Sequence, residues 1–543
     1  MRRMVLAVLL PTALAVLPVQ AQTWAVEDPV LKQIWEEGTA RSQIWSLSQV
    51  LLDSVGPRLT GTPEADRAMN WLVATFQGMG IPARKEQYGR WASWRNGITH
   101  VDLLQPRART LEANLMGWSA GTKGKPVQGP VVVLPEFRDS AAFRAWLPSA
   151  KGKYVALDYP QPTCRPDRQW QEFGAPGRAA GFGGPFGGAA APAAASDTTA
   201  SYGRMVAQRN AGRVAWQQRL RATGLPVAAL RTALEDAGAL GFVHSNWSNE
   251  TGINKIFTAI TKKAPALDLS CEDYGLVFRL AERNQGPVLR VVSEAEHLGE
   301  TPIFNVVAEL KGNARPDEYV LLSAHYDSYH IAPGATDNAS GSATMLEALR
   351  ILKQTYPNPK RTIIAGFWNS EEQGLNGSRA FVADHPDIVK GIHAAFNQDN
   401  GTGRVTNISG QGFLAAGEYF GRWFNSLPAE LTREIRLTFP GSPGGGGSDY
   451  ASFVCAGVPA FSLSSLGWDY SNYTWHTNRD TFDKLVFDDL RNNAVLTAML
   501  VYLAAEDERP MPRDRRPVLP AGRGGPGAWP SCGEPMREGP RER

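Results

Sequence analysis

The 543-residue chain carries 56 Lys plus Arg against 53 Asp plus Glu, a formal net charge of +3, with 43% hydrophobic and 20% charged residues. That balance excludes a disordered chain and leaves no electrostatic footprint for nucleic acid or an anionic membrane. The length allows two domains with appendages.

Taken in order, the chain opens with Arg2-Arg3, an apolar run from Val5 to Val19, and a small-residue cleavage site at Val19-Gln-Ala21. Residues 1–21 therefore read as a secretory signal peptide, and the run, broken by Pro11 and Pro18, is too short for a membrane span. The mature protein is expected in the periplasm or outside the cell. Residues 22–124 read as the amino-terminal portion of a catalytic domain, with helices at Asp28 to Leu47 and Ala65 to Gly80 and extended chain at Thr99 to Met116. Residues 125–295 change pattern: short strands at Val131 to Leu134, Tyr154 to Leu157, Gly241 to His244 and Leu289 to Val292 alternate with helices at Arg204 to Leu220, Val227 to Ala237 and Tyr274 to Ala281. This is an insert of its own, smaller α/β type. Within it, residues 173–196 are almost wholly Gly, Ala, Pro and Phe, which predicts a mobile loop.

Residues 296–508 carry the chemistry. Apolar runs at Tyr319 to Ala324, Arg361 to Trp368, Ile392 to Gln398 and Val458 to Ser464 read as buried strands, and Ser342 to Leu352 has helical spacing between the first two. His325 follows the first strand, Glu371 and Glu372 the second, Asp399 the third, and His476 comes shortly after the fourth; Asp337 lies in the Gly/Ser-rich turn before the helix. In an open α/β sheet, sites form at the carboxyl ends of strands, where these nitrogen and oxygen donors all fall. Asp327, on the same face as His325, reads as its supporting partner, and Asp449 either supports the site or caps a loop. The aromatics of the 450–475 region read as pocket walls, with Tyr450 or Tyr473 as a donor to an oxyanion. Helix Asp488 to Ala505 closes the domain, and the Pro/Gly/Arg-rich residues 509–543 read as a disordered tail.

The four cysteines lack a CxxC spacing, which argues against a thiolate metal site. Cys164 and Cys271 either pair or stay as buried thiols, and Cys455 reads as core.

The runs HYDS, GATDNASG, NSEEQGLNGSRAF, QDNG, GSDYASF and TWHTNRDT together resemble the zinc exopeptidases of family M28, di-zinc aminopeptidases and carboxypeptidase Q types included. The resemblance implies a mixed central β-sheet flanked by helices, an insert of the protease-associated kind, and two Zn²⁺ ions. Asp337 would bridge the ions, His325 and Asp399 completing one and Glu372 and His476 the other. Glu371 would be the general base toward a metal-bridged water. Cobalt or manganese would suit the same donors. The expected activity is amino-terminal cleavage of peptides. The alternative is a carboxypeptidase Q-like carboxypeptidase or dipeptidase, for which Arg404 or Arg479 would hold the substrate carboxylate; a glutaminyl-cyclase-like transferase or a non-catalytic binding protein follow behind.

Overall fold

The computed structural model describes residues 26–174, 195–517, 519–522 and 525–540. The expected signal peptide and the centre of the 173–196 segment lie outside the described residues.

Four strands with strongly apolar sequences form the centre of the sheet over residues 296–508. Arg315–His325 runs parallel to Arg361–Trp368 on one side and to Ile392–Asn397 on the other, and Ile392–Asn397 runs parallel to Ala460–Ser465. Every residue of Arg361–Trp368 and Ile392–Asn397 is buried, as continuous apolar runs in a sheet covered on both faces require. The crossover helix Ser340–Thr355, buried from Ser340 to Leu352, packs against the closing helix Phe487–Glu506, and both cover the sheet. Because the four strands run the same way, their carboxyl ends share one edge.

The expected first helix is split into Pro29–Ala40 and Ile44–Gln49. The break is captured from a distance: the buried carboxylate of Glu347 accepts from Ser42 Oγ and from Gln43 N–H, each at 2.9 Å. A local periodicity gives no hint of such a partner.

Two 23-residue strands, Ala83–Gln105 and Val288–Leu310, pair antiparallel along their length. Val288–Leu310 belongs to both halves of the molecule, since Val306 to Leu310 pair with Phe367 to Ile363 and Val288 to Val291 pair with Pro130 to Val127. The insert boundary expected at 295/296 thus falls inside one continuous strand. Register shifts at Gln87/Gly89, Ser93/Trp94, Asn96/Thr99 and Leu103/Gln105 mark irregularities along the ribbon, the kind of feature that bends a strand. Beyond it the insert adds parallel strands at Val127–Val133, Tyr154–Ala156, Gly241–His244 and Ala266–Leu269. Its core is separate, built on Trp94, Trp118, Tyr154, Phe242, Leu267 and Tyr274.

Cys164 is bonded to Cys271 and Cys455 to Cys532. The second bond corrects two expectations, that Cys455 is a core thiol and that residues 509–543 form a disordered tail. Met511 is buried and its N–H donates to His393 Nδ1 at 2.7 Å, Trp529 donates to the Val454 carbonyl at 3.0 Å, and Glu538–Gly539 pairs with Arg90 and Trp91 of the ribbon. The Pro/Gly/Arg composition is an average, and a few anchors spaced along a segment are enough to fix it.

Candidate metal centre

His325 ends its strand with no freedom to turn away. Its Nδ1 hydrogen-bonds the Asp327 carbonyl at 3.1 Å, which aims Nε2 at Asp337 Oδ1, 3.3 Å away, and at Asp399 Oδ1, 3.2 Å away. His476 Nε2 lies 2.7 Å from Glu372 Oε2 and 3.4 Å from Asp337 Oδ2. Two clusters of donor atoms result, His325/Asp337/Asp399 and Asp337/Glu372/His476, sharing Asp337.

The supports explain why these side chains meet. The Asp337 turn, over Ala335–Ala339 and entered through Gly334 at φ 64°, has extended rather than helical backbone at Asp337 and is held by Asp480, whose carboxylate accepts from Thr336 N–H and Asp337 N–H at 2.9 and 3.0 Å. Asp327 accepts from the N–H groups of Glu371 and Glu372 at 3.1 and 3.3 Å, clamping the acidic pair behind its strand. Below, Trp368 Nε1 donates to Ser323 Oγ, Ser323 to Asn397 and Asn397 to Ser448, stitching three strand ends together. His476 takes the left-handed conformation at φ 56°, unusual for a side chain with a Cβ. Its carbonyl is held by the N–H of Ile256 at 2.5 Å, and the neighbouring Asn478 exchanges two bonds with Asn254. The insert therefore fixes a residue of the catalytic cluster.

Electrostatics of the cluster call for positive charge. Burial pushes the carboxyls of Glu371 and Glu372 well above the usual range, with nearby carboxylates adding to it. Burial would lower the His325 imidazole, but Asp399 and Glu371 outweigh it and hold the pKa well above the free value; His476 is pulled down to about 4 by burial. Burial would likewise raise Asp337, yet His325 and His476 hold it low. Asp337 Oδ2 is buried with no hydrogen-bond partner. Several carboxylates and two imidazoles, nitrogen and oxygen donors without sulfur, suit divalent cations of the zinc type.

The cleft above the cluster, of about 380 Å³, is lined by Asp337, Glu371, Asp399, Tyr450, Tyr470 and Trp475. A larger cavity of about 920 Å³, among Arg95, Lys262, Glu294 and His297, contains none of the cluster residues. Of the residues expected to face substrate, Tyr450 lines the cleft, whereas Tyr473 is 38% exposed and is absent from its lining. Neither arginine is at hand as expected: Arg404 is paired with Asp489 at 3.3 Å and Arg479 with Glu112 at 2.6 Å. Asp449 is fully buried and pushed up to about 7 by burial, close enough to Asp399 and His325 to feel both. Sequence reasoning missed Asp480 as the clamp of the bridging turn, Tyr329, whose ring lies 4.7 Å from that of His476, and the place of Tyr470 in the cleft lining beside Asp337. Asp480 was within sight, four residues after His476 in the same run.

A pair of donor clusters joined by one carboxylate, at the carboxyl edge of a parallel sheet, is the arrangement expected of a metal-dependent hydrolase. Similarity to known proteins narrows this further. Residues 305–501 match peptidase family M28. Carboxypeptidase Q from Pongo abelii is similar over most of its length, 25% identical over 477 residues that cover 88% of each chain. Among solved structures, a peptidase M28 precursor from Shewanella amazonensis superposes with TM-score 0.61 at 24% identity, over 89% of this chain and 98% of that one. A zinc aminopeptidase from Bacillus subtilis gives TM-score 0.50 at 18% identity, over 86% and 95%. The chain is a metallopeptidase with the mixed α/β fold expected from its sequence.

Proposed function

We propose that this protein is an exported zinc exopeptidase holding two ions, one on His325, Asp337 and Asp399 and one on Asp337, Glu372 and His476. The observation that carries the reading is Asp337, whose two carboxylate oxygens face different histidines at 3.3 and 3.4 Å. When bound, zinc supplies Lewis acidity toward the scissile carbonyl and the attacking water. Glu371 is left out of both donor clusters, and its clamped backbone keeps the carboxylate at the cleft lining. It takes the proton from the attacking water and returns it to the leaving amine. Tyr450 and Tyr470, also in the lining, offer hydroxyls to a developing oxyanion.

The end of the peptide attacked was expected to be the amino terminus. Full-length similarity to carboxypeptidase Q favours the second reading, cleavage that depends on a free carboxyl terminus, while the aminopeptidase neighbour shares the fold alone. Two disulfides fit an oxidising compartment and so support export, and no helix among the described residues is long and apolar enough to cross a membrane.

The test is zinc titration of the chelator-stripped protein with hydrolysis of dipeptides followed in parallel. Two equivalents per chain should restore full activity. Asp337→Asn should bind zinc more weakly at both positions; tight binding of two ions by this variant would remove the bridging role.

A further inference from the structure

The carboxyl-terminal reading needs a cation near the cleft, and both arginines expected to supply it are paired elsewhere. The insert offers another. Lys255 lies between Asn254 and Ile256, both buried and both bonded through their backbones to the loop that carries His476. Strand alternation sends the Lys255 side chain the opposite way from those two. Its Nζ sits 3.9 Å from the ring centroid of Trp475, which stacks on His476 at 4.0 Å and lines the cleft together with Asp337 and Glu371. Among the described residues no carboxylate forms a salt bridge with this ammonium. It is half-buried on an aromatic face, and Asp337 is near enough to act on it. A half-buried ammonium with no salt-bridge partner among the described residues, held against a tryptophan that lines the cleft, is costly, and a substrate carboxylate would offset that cost.

We infer that Lys255 is a specificity-determining residue that binds the free α-carboxylate of the substrate, so that the insert, not the catalytic domain, selects the carboxyl end. The assignment rests on the peptidase reading above. Trp475 fixes the ammonium by a cation–π contact, and the backbone clasp at Asn254, Ile256 and His476 sets its distance from the metal centre. Substrates short enough to span that distance, dipeptides or small peptides with an unblocked carboxyl end, are the class that fits.

The experiment uses the full-length zinc-loaded protein with Glu371→Gln, so that binding is read without turnover, and compares a dipeptide with its carboxyl amide by calorimetry. The parent should bind the free dipeptide more tightly. Lys255→Met should weaken that binding by about 10- to 100-fold, as expected for loss of a charge-assisted bond, and erase the preference over the amide. Lys255→Arg should keep much of it. In the active background the same change should appear as raised KM with kcat retained. Equal binding of dipeptide and amide by the parent, or an equal loss for both in Lys255→Met, would overturn the assignment and leave the peptidase reading intact. If no peptide is bound and none is cut, the peptidase reading falls and this one with it. Circular dichroism and zinc content of Lys255→Met separate loss of the fold from loss of the contact.

Discussion

Glu371 and Glu372 are neighbours in sequence, yet the structure gives them different surroundings. Glu372 meets His476 at 2.7 Å, while Glu371 joins neither donor cluster. Glu371→Gln is isosteric and removes only the proton acceptor, so kcat should fall by about 10³-fold or more with zinc content unchanged. Steady-state kinetics and elemental analysis of the same preparation check both halves of that statement. A second residue-scale prediction concerns His393, far from the cluster. Its Nδ1 accepts from Met511 N–H, and burial, reinforced by Arg361, pulls its pKa down to about 3. The folded value lies below that of a free imidazole, about 6.5, so between the two the unfolded chain binds the extra proton. The stabilisation is complete above about 6.5 and is lost as pH falls toward the folded value. Parent protein should therefore lose more stability than His393→Asn between pH 6.5 and 4.5, by up to about 2 kcal/mol. Urea midpoints of both proteins, metal-free, at the two pH values supply the number; parallel losses would mean the imidazole is not held neutral.

At the scale of elements, the carboxyl-terminal segment acts as a strap. Cys532 is joined to Cys455 across 77 residues, and Trp529 packs edge-on against Phe413 at 5.4 Å. Closing a loop of that size restricts the unfolded chain, and Cys532→Ser should cost about 2–4 kcal/mol of stability. Chemical unfolding of the variant beside the oxidised parent tests this. The donor clusters lie on other elements, so zinc content should hold. The loop holding His476 is a different case, because its left-handed backbone is clasped by Asn254 and Ile256 of the insert. Asn254 also donates through Nδ2 to Asp268 and the Leu269 carbonyl, which roots the clasp in the insert core. Asn254→Ala should loosen this loop and weaken zinc binding at the Glu372/His476 position by about tenfold, in the range known for supporting partners of metal ligands. Competition with a chromophoric chelator measures the affinity.

For the molecule as a whole, metal and fold are coupled. The cluster draws its donors from three strand ends, the Asp337 turn and the 476 loop, and an ion bound only by the folded chain stabilises it in proportion to its occupancy. Chelation should lower the thermal transition, and added zinc should restore it along with activity. A transition that ignores the chelator would mean the donors do not hold an ion in the folded state. The ribbon of Ala83–Gln105 and Val288–Leu310 joins the insert and the catalytic domain into a single mechanical unit, which is how an insert residue such as Lys255 comes to sit beside the cluster.

The sequence by itself determined the four parallel strands, the crossover and closing helices, and the clustering of His325, Asp337, Glu372, Asp399 and His476. Most of this is local: apolar runs bury themselves, and His325, Glu372 and Asp399, close behind such runs, arrive at one edge when the strands are parallel, whereas Asp337 and His476 are held there by Asp480 and by the insert. Only the tertiary structure decided what depends on partners remote in sequence. The break at Ser42 awaits Glu347, and the Asp337 turn awaits Asp480. The ordered tail waits on Cys455 and the Trp529 pocket, and the pairing of Arg404 and Arg479 on Asp489 and Glu112. The 23-residue strands were hidden for a related reason. Much of Ser293 to Thr301 is exposed, so the ribbon carries no continuous apolar run there and is held by its hydrogen-bonded partner strand.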